Sequence, residues 1–530
     1  MGVWYSSTIT VIITVAFCLN ICILIAMYTK DWDLIGTLNY TAVKQSMVFN
    51  KSSADWQKKE TRSIWTSFIN DLFPEFENVT SEDLQPLHLS PTSSRRRKLV
   101  IGIPLVTERA EYINDTLSSL FDKMDEDYRN DVLVILMIAS NETDANNFYK
   151  DKVTRISENF SDEIRSGLLQ ICERNRLGQH FTAFMKKANL QTVAEATCDM
   201  FQELCPQDLE RNDVNVIAVP KAWYRIDVRS ISPTFNDSPE RMYWRTKQNI
   251  DYIYIMMHAS QICDYYLQLE DDVEAADGYM RVIFNYLTFK SDSPWFIISF
   301  TSMGFIGRLF RSSDLKYMSY AIALYHHFKP VDWILYDLLT SRYCDPGKTH
   351  QECLANRRQY EISSGASQFQ HIGKISSLEG KTQTIHDSRF GKGATQGKRG
   401  NPPANVTSSV RTKKFHEPQF GYDNYFAMWL LNVTSGDYVS MVFHEEILLT
   451  GVMFMSGLPP VPQYKLGPEA LVYAFNNADE RVHLGQFSSK GDFLLRLKGL
   501  LVTELRIEFT APLQNEVVID HILIDKQENS

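Results

Sequence analysis

Three consecutive acids, Glu270, Asp271 and Asp272, close the apolar run Tyr265 to Leu269. In an open α/β sheet, ligands bind outside the carboxyl ends of the strands. Carboxylates placed there offer hard oxygen ligands to Mg²⁺ or Mn²⁺. Such a cation bridges the diphosphate of a nucleotide sugar and offsets the charge growing on the leaving group. The plainer reading is an acidic turn ahead of a helix N-terminus, where negative charge is favoured. Two other stretches fit the same site. Arg245, Lys247 and Gln248 open the helical pattern that precedes this strand, and the two cations there suit phosphate; the plainer reading is an exposed basic turn. His371, in Gln368-Phe-Gln-His371-Ile-Gly373, is a metal or phosphate ligand or a satisfied polar residue. An acceptor hydroxyl that attacks directly needs a general base. Asp332 and Asp337 flank Trp333, whose face suits a sugar ring, although Asp332 also reads as an ordinary helix N-cap.

These residues need elements to hold them. Leu99 to Ile103, ending at Pro104, reads as a buried strand, and so do Val132 to Ile138, Tyr265 to Leu269 and Trp295 to Phe300. Val216 to Val219 is a further strand candidate. Helical spacing links Ile113, Leu117, Leu120 and Phe121; then Phe148, Ile156 and Phe160; then Ile250, Tyr254 and Met257; then Tyr279, Val282, Ile283 and Tyr286. Helical patterns also cover Asp314 to Phe328 and Asp332 to Leu339. This alternation predicts an α/β fold with a mostly parallel sheet covered on both faces. Cys172 to Val214 reads as an irregular insertion. Residues 374–405 read as a loop. Beyond them come Tyr438 to Phe443, Leu448 to Met455, Phe493 to Leu497, Thr503 to Phe509 and Val517 to Ile524, short strands that predict a β-sandwich.

The 530 residues allow two or three domains. A net charge of −10 argues against a nucleic-acid partner. Thr8 to Met27 is a run of 20 residues without a charge, long enough as a helix to cross a bilayer. With no Lys or Arg ahead of it and no small-residue cleavage site after it, it reads as an anchor rather than a cleaved signal. All nine N-x-S/T sequons (Asn39, Asn50, Asn78, Asn114, Asn141, Asn159, Asn236, Asn405 and Asn432) lie beyond it, which predicts a lumenal body. Asn78, Asn114, Asn405 and Asn432 are the sites expected to carry glycan. The expected organisation is a cytoplasmic tail 1–7, a transmembrane anchor 8–28, a stem 29–97, a catalytic domain 98–400 and a β-sandwich 406–530. Cys172, Cys198, Cys205, Cys263, Cys344 and Cys353 lie outside the anchor, and Cys344 and Cys353 flank a polar loop suited to a local bridge.

Together these stretches resemble the N-acetylglucosaminyltransferase IV family, the α-1,3-mannosyl-glycoprotein 4-β-N-acetylglucosaminyltransferases. The resemblance rests on Ile101-Gly-Ile-Pro104, Trp244 to Tyr252, Leu269 to Asp272, Gly304-Phe-Ile-Gly307, Asp332-Trp333, the Cys344…Cys353 loop, Phe369 to Gly373 with Ser376-Ser-Leu378, and Asn401-Pro-Pro403, in family order. It implies a GT-A fold with a lectin-like C-terminal domain, UDP-GlcNAc as donor, Mn²⁺ or another divalent cation, inversion at the anomeric carbon, N-glycan acceptors and a single-pass type II Golgi membrane anchor. A homo-oligomer is compatible with it. It assigns Asp272 and His371 to the metal. Pro104, Arg245, Lys247, Gln248, Glu270, Asp271, Gly304 and Trp333 go to the substrates, and Asp337, ahead of Asp332, is the base. The insertion after Cys172 is longer than in the family and the C-terminal region diverges. The alternatives are a non-catalytic glycan-binding or regulatory relative and a transferase with another acceptor.

Overall fold

The computed structural model describes residues 87–88, 95–105, 112–138, 155–166, 169–173, 231–374, 386–390, 401–423, 427–458 and 462–527. All of them belong to one unit spanning residues 65–530. The expected anchor and stem sequons, Val216 to Val219, Phe148, Cys198 and Cys205 lie outside the described residues.

The first sheet grows around β2 (Arg97–Leu105), whose buried apolar run lies parallel to β3 (Val132–Ile138) on one side and to β5 (Cys263–Gln268) on the other. β4 (Leu169–Glu173) extends it in parallel beyond β3, and β1 (Leu87–His88) pairs antiparallel at the edge. Cys172, expected in an irregular insertion, is therefore a strand residue. Past β5 the direction changes. β8 (Arg308–Arg311) runs antiparallel to both β5 and β7 (Ile297–Ser299), and β9 (Glu361–Ser363) closes the edge parallel to β7. The sheet is thus mixed, with four of its seven pairings parallel. The connection from Phe300 to Gly307 is too short for a parallel crossover, and Gly307 turns the chain back at φ +64°.

Helices α1 (Ile113–Asp122), α2 (Glu126–Arg129), α3 (Ser161–Arg165), α4 (Pro239–Ile262), α5 (Tyr279–Phe289), α6 (Leu315–Tyr325), α7 (Val331–Tyr343) and α8 (His350–Arg357) accompany this sheet. Ser238 caps α4 by accepting from the Arg241 N–H, and Pro239 supplies the fixed φ that suits a first helical position. Ile250, Tyr252, Ile253, Tyr254 and Met256 bury most of the helix circumference against β2, β5 and α6.

The C-terminal region is one antiparallel sheet built on three long strands, β14 (Tyr438–Ser456), β17 (Asp492–Phe509) and β18 (Val517–Lys526). The shorter strands β11 (Ala404–Ser408), β12 (Arg411–Thr412), β13 (Met428–Leu431), β15 (Ala470–Phe475) and β16 (Arg481–Gln486) complete it. β14 and β17 each unite two stretches that read as separate strands in sequence. Register shifts between Val442 and Ile447 and between Leu449 and Gly451 bend the pair without breaking it. The two layers share a core, since Met453, Met455 and Leu523 pack with the apolar residues of the first sheet. Arg281 on α5 donates to both carboxylate oxygens of Asp492 and to the Ser456 carbonyl, and Lys290 pairs with Asp525.

Candidate functional site

β5 ends at Gln268, and the Leu269 N–H donates to the Gly102 carbonyl of β2. Glu270, Asp271 and Asp272 therefore stand just beyond the carboxyl ends of two parallel strands, where such sheets bind ligands. The turn is clamped from α1. The Thr116 hydroxyl donates to the Asp271 carbonyl and accepts from the Val273 N–H, both at 3.0 Å. From there β6 (Val273–Ala275) pairs with β10 (Phe369–His371), placing His371 opposite Val273. The Ile372 N–H donates to the Asp272 carbonyl at 2.8 Å. A two-strand ribbon thus brings together two stretches far apart in sequence.

Ligand atoms of Glu270, Asp272 and His371 lie within 4.8 Å of one another. His371 Nε2 is 3.0 Å from Asp272 Oδ2. Burial and the neighbouring Asp272 push Glu270 up to about 8, with His371 acting in opposition. The hydrogen bond to Asp272 raises His371. Asp272 Oδ1 and His371 Nδ1 are buried without a hydrogen-bond partner. Two orphaned buried atoms beside a carboxylate pushed toward protonation mark a cluster short of positive charge. Two carboxylate oxygens and an imidazole nitrogen suit Mn²⁺, so the residues present fit a divalent cation. The backbone follows them closely: a Cβ at Gly373 would lie 2.1 Å from Asp272 Oδ2 and 3.0 Å from His371 Cε1.

The other expected residues divide between this site and elsewhere. Asp332, at the start of α7, lies within electrostatic reach of Glu270 and of Arg308. Asp337 is ion-paired with Lys329 instead. Gln248 reaches toward the site through the Tyr252 hydroxyl at 3.4 Å, and buried Tyr252 responds to the charges of Glu270 and Asp271. Arg245 is buried and turned away, donating to Asp237, Thr234 and the His327 carbonyl. Lys247 is buried against Asp251 at 2.7 Å. Both cations face structural partners because their helix is embedded on most sides. Pro104 is buried within β2, opposite Met137. Gly304 adopts φ +38° with open space where a Cβ would stand. It lines a cavity of about 550 Å³ with Ser302, Met303, His386, Asp387, Ser388 and Arg389. Trp333 is exposed on α7. Cys344 and Cys353 form a disulfide, and Cys263 is a buried free thiol. Asn405 and Asn432 are both exposed. Asn114 lies in the first turn of α1, and the hydroxyl of its sequon is the clamping Thr116. Asn78 lies outside the described residues.

In the sequence, Tyr252 and Gly373 figure only as members of motifs, and no role in the site is assigned to them or to Thr116, Arg308 and Asp387. Arg308 is directly opposite Gln268 in the sheet and donates to Ser299 and to the Gly304 carbonyl. Its signal was its place immediately after Gly304-Phe-Ile-Gly307. Asp387 accepts from the Ser302 hydroxyl, the Arg389 N–H and the Arg389 guanidinium, and nothing in its sequence surroundings announces that role.

A family profile described as the MGAT4 conserved region matches residues 183–390. The α-1,3-mannosyl-glycoprotein 4-β-N-acetylglucosaminyltransferase A of Xenopus tropicalis is 30% identical over 69% of this chain and 59% of its own length. The Bos taurus enzyme of that name is 30% identical over 77% of this chain and 68% of its own. The Homo sapiens transferase B is 30% identical over 69% of this chain and 58% of its own. The match to the Xenopus tropicalis relative thus spans about three-fifths of its length. Among solved structures, a CBM32 module from Clostridium perfringens in complex with GalNAc-β-1,3-galactose aligns with 23% of this chain and 94% of its own, at 5% identity and TM-score 0.20.

Proposed function

We propose, because the chain belongs to the α-1,3-mannosyl-glycoprotein 4-β-N-acetylglucosaminyltransferase family, that it transfers N-acetylglucosamine from UDP-GlcNAc to the α-1,3-arm mannose of complex N-glycans. The bond made is β-1,4, with inversion at the anomeric carbon, in a GT-A-type catalytic domain. The observation that carries this reading is the Glu270–Asp272–His371 cluster at the carboxyl ends of β2 and β5.

Asp272, His371 and Glu270 would hold a divalent cation, Mn²⁺ by family resemblance, which supplies positive charge to the diphosphate of the donor. Glu270 must lose its proton for the set to be complete, and the raised pKa makes that loss the step most sensitive to pH. Thr116 and Gly373 fix the approach of Asp272, the first by tying down the acidic turn and the second by leaving room for the carboxylate. Inversion requires a base on the face opposite the leaving diphosphate. Asp332 fits this role better than Asp337, because it lies in the field of Glu270 whereas Asp337 is engaged by Lys329. Asp332 would accept the proton of the mannose hydroxyl as that oxygen attacks the anomeric carbon. Gly304, without a side chain over the neighbouring cavity, leaves room for the sugar. The uncharged segment 8–28 and the nine sequons beyond it support a type II anchor with the catalytic body in the Golgi lumen.

The test is direct. The chain, produced by a secretory host, is incubated with UDP-GlcNAc, Mn²⁺ and a biantennary N-glycan, and the product is read by mass and linkage. A new β-1,4-linked N-acetylglucosamine on the α-1,3 arm, lost with EDTA and in Asp272→Asn, is the expected result. A folded chain that binds UDP and transfers nothing defeats the proposal.

A further inference from the structure

Phe235 and Trp333 come from distant parts of the chain and meet edge to face, with ring centroids 4.7 Å apart and planes at 82°. Each remains about half exposed, at 52% and 48%. Exposed aromatics of this size are more often scattered than paired. This pair is also held at a cost: Phe235 and Asn236 both adopt φ +59°, a left-handed conformation that a phenylalanine avoids. Such strain persists only where the surroundings enforce it.

What enforces it is Arg245. Its guanidinium, buried to 1% exposure, donates to Asp237 at 2.6 Å and to Thr234 at 2.7 Å, the residues on either side of the strained pair. It also donates to the His327 carbonyl at 3.1 Å, and its Cζ lies 5.7 Å from the Phe235 ring centre. Thr234 donates in turn to the Phe328 carbonyl, and Asn249 donates to the carbonyls of His326 and Lys329. One face of α4 therefore pins both the Thr234–Asp237 loop that presents Phe235 and the turn that starts α7 and presents Trp333.

We propose that Phe235 and Trp333 form a platform for a pyranose ring of the acceptor glycan, with Arg245 as its positioning residue; this rests on the transferase reading above. Two rings at a right angle make a corner with a floor and a wall. A disc-shaped sugar fills such a corner with its C–H bonds against the electron-rich ring faces. Asp332, the base in the transferase reading, directly precedes Trp333 in α7. The platform therefore grips a ring beside the reacting mannose and sets which arm of the glycan reaches the base.

The experiment uses the full chain carrying Ser238→Asp. This substitution removes the Asn236 sequon, so no attached glycan can occupy the corner, and it keeps an N-cap acceptor on α4. Binding of a biantennary N-glycan is followed by saturation-transfer NMR, and transfer by product mass, for this chain and for Phe235→Gly, Trp333→Ala and Phe235→Tyr. Glycine accepts φ +59° without strain, so Phe235→Gly keeps the fold, with an unchanged or higher Tm. Phe235→Gly and Trp333→Ala should lose ring-proton saturation transfer and raise acceptor KM roughly tenfold, with kcat within about twofold, while Phe235→Tyr retains both. Wild-type saturation transfer and KM in folded Phe235→Gly and Trp333→Ala overturn the platform, as does a parent chain that does not bind the glycan. If the parent binds the glycan through these rings but transfers nothing, the platform stands and the transferase reading falls.

Discussion

Gly373→Ala tests the metal cluster with a single methyl group. The new Cβ would stand 2.1 Å from Asp272 Oδ2 and 2.9 Å from its Cγ. To restore even a 3.0 Å separation the carboxylate must retreat by about 0.9 Å. Metal–ligand distances tolerate only about 0.2 Å. The carboxylate can clear the methyl or stay in the ligand set, but not both. His371 Cε1 is 3.0 Å from the same methyl and is crowded as well. Loss of supporting contacts at metal sites typically costs 10–100-fold in affinity, so losing a ligand should cost at least about 1.4–2.7 kcal/mol. The fold should be spared, because the Asp272 carboxylate is partly exposed and can swing away, and Gly373 does not occupy a left-handed conformation. Mn²⁺ binding is measured by titration calorimetry and by the electron paramagnetic resonance of free Mn²⁺, with thermal unfolding in EDTA as the control. The expected result is a Kd at least tenfold weaker with a metal-free Tm within a few degrees of wild type. A Gly373→Ala chain that binds Mn²⁺ with the wild-type Kd would show that Asp272 and His371 do not hold the ion.

Four further outcomes follow. Glu270 is pushed up to about 8, so a cation must displace its proton below that pH: Mn²⁺ affinity should rise by up to about tenfold per pH unit from 6 to 8 and level off above. A folded pKa above the unfolded one also means that metal-free stability falls as pH climbs from about 4.5 through 8, so Glu270→Gln should unfold at a higher temperature than wild type at pH 8.5 in EDTA; a flat affinity profile would sink this account. Burial alone would raise Asp387, but the Arg389 N–H, the Ser302 and Ser367 hydroxyls and the Arg389 guanidinium hold it well below the ordinary range. Its contribution is therefore present above about pH 4 and is lost as pH falls toward the folded value, so Asp387→Asn should cost about 1–3 kcal/mol at pH 7, with a gap to wild type that narrows below pH 4. Asp492→Ala leaves Arg281 without its carboxylate between the two layers and should cost about 3–5 kcal/mol in urea unfolding; a loss under about 1 kcal/mol would mean the layers are joined by their shared apolar core alone.

The parts of this protein that are legible in its sequence are those fixed by short-range pattern. Apolar runs mark β3 throughout, β2 from Leu99 onward and β5 at Tyr265 to Leu267, because the central positions of strands covered on both faces are apolar. Periodic spacing marks α1, α4 and α5. The acids fall at the end of β5 as their text suggests, because strand end and acidic turn are adjacent in the chain. The joining of Tyr438 to Phe443 with Leu448 to Met455 into β14 was not legible. His444, Glu445 and Glu446 break the apolar alternation and resemble a turn, whereas the structure accommodates them in a bulged stretch of one strand.

The harder case is charge. Arg245 and Lys247 read as phosphate ligands because a sequence shows that a cation is present but not which face of its helix meets solvent. In a helix buried on one stripe, that face follows from the apolar period; in α4 the buried residues surround the axis, and the period says nothing. A buried cation must then find its counter-charge inside the protein, and Asp237 and Asp251, both close in sequence, supply it. The same burial that removes Arg245 from a ligand role makes it effective as a tether. Guanidinium hydrogen bonds shielded from water fix the Thr234–Asp237 loop and the His327 turn more firmly than an exposed arginine would. Arg245, which reads in sequence as a phosphate contact, thus ties the Thr234–Asp237 loop to the turn ahead of α7, and this connection is visible only once the packing of α4 is known.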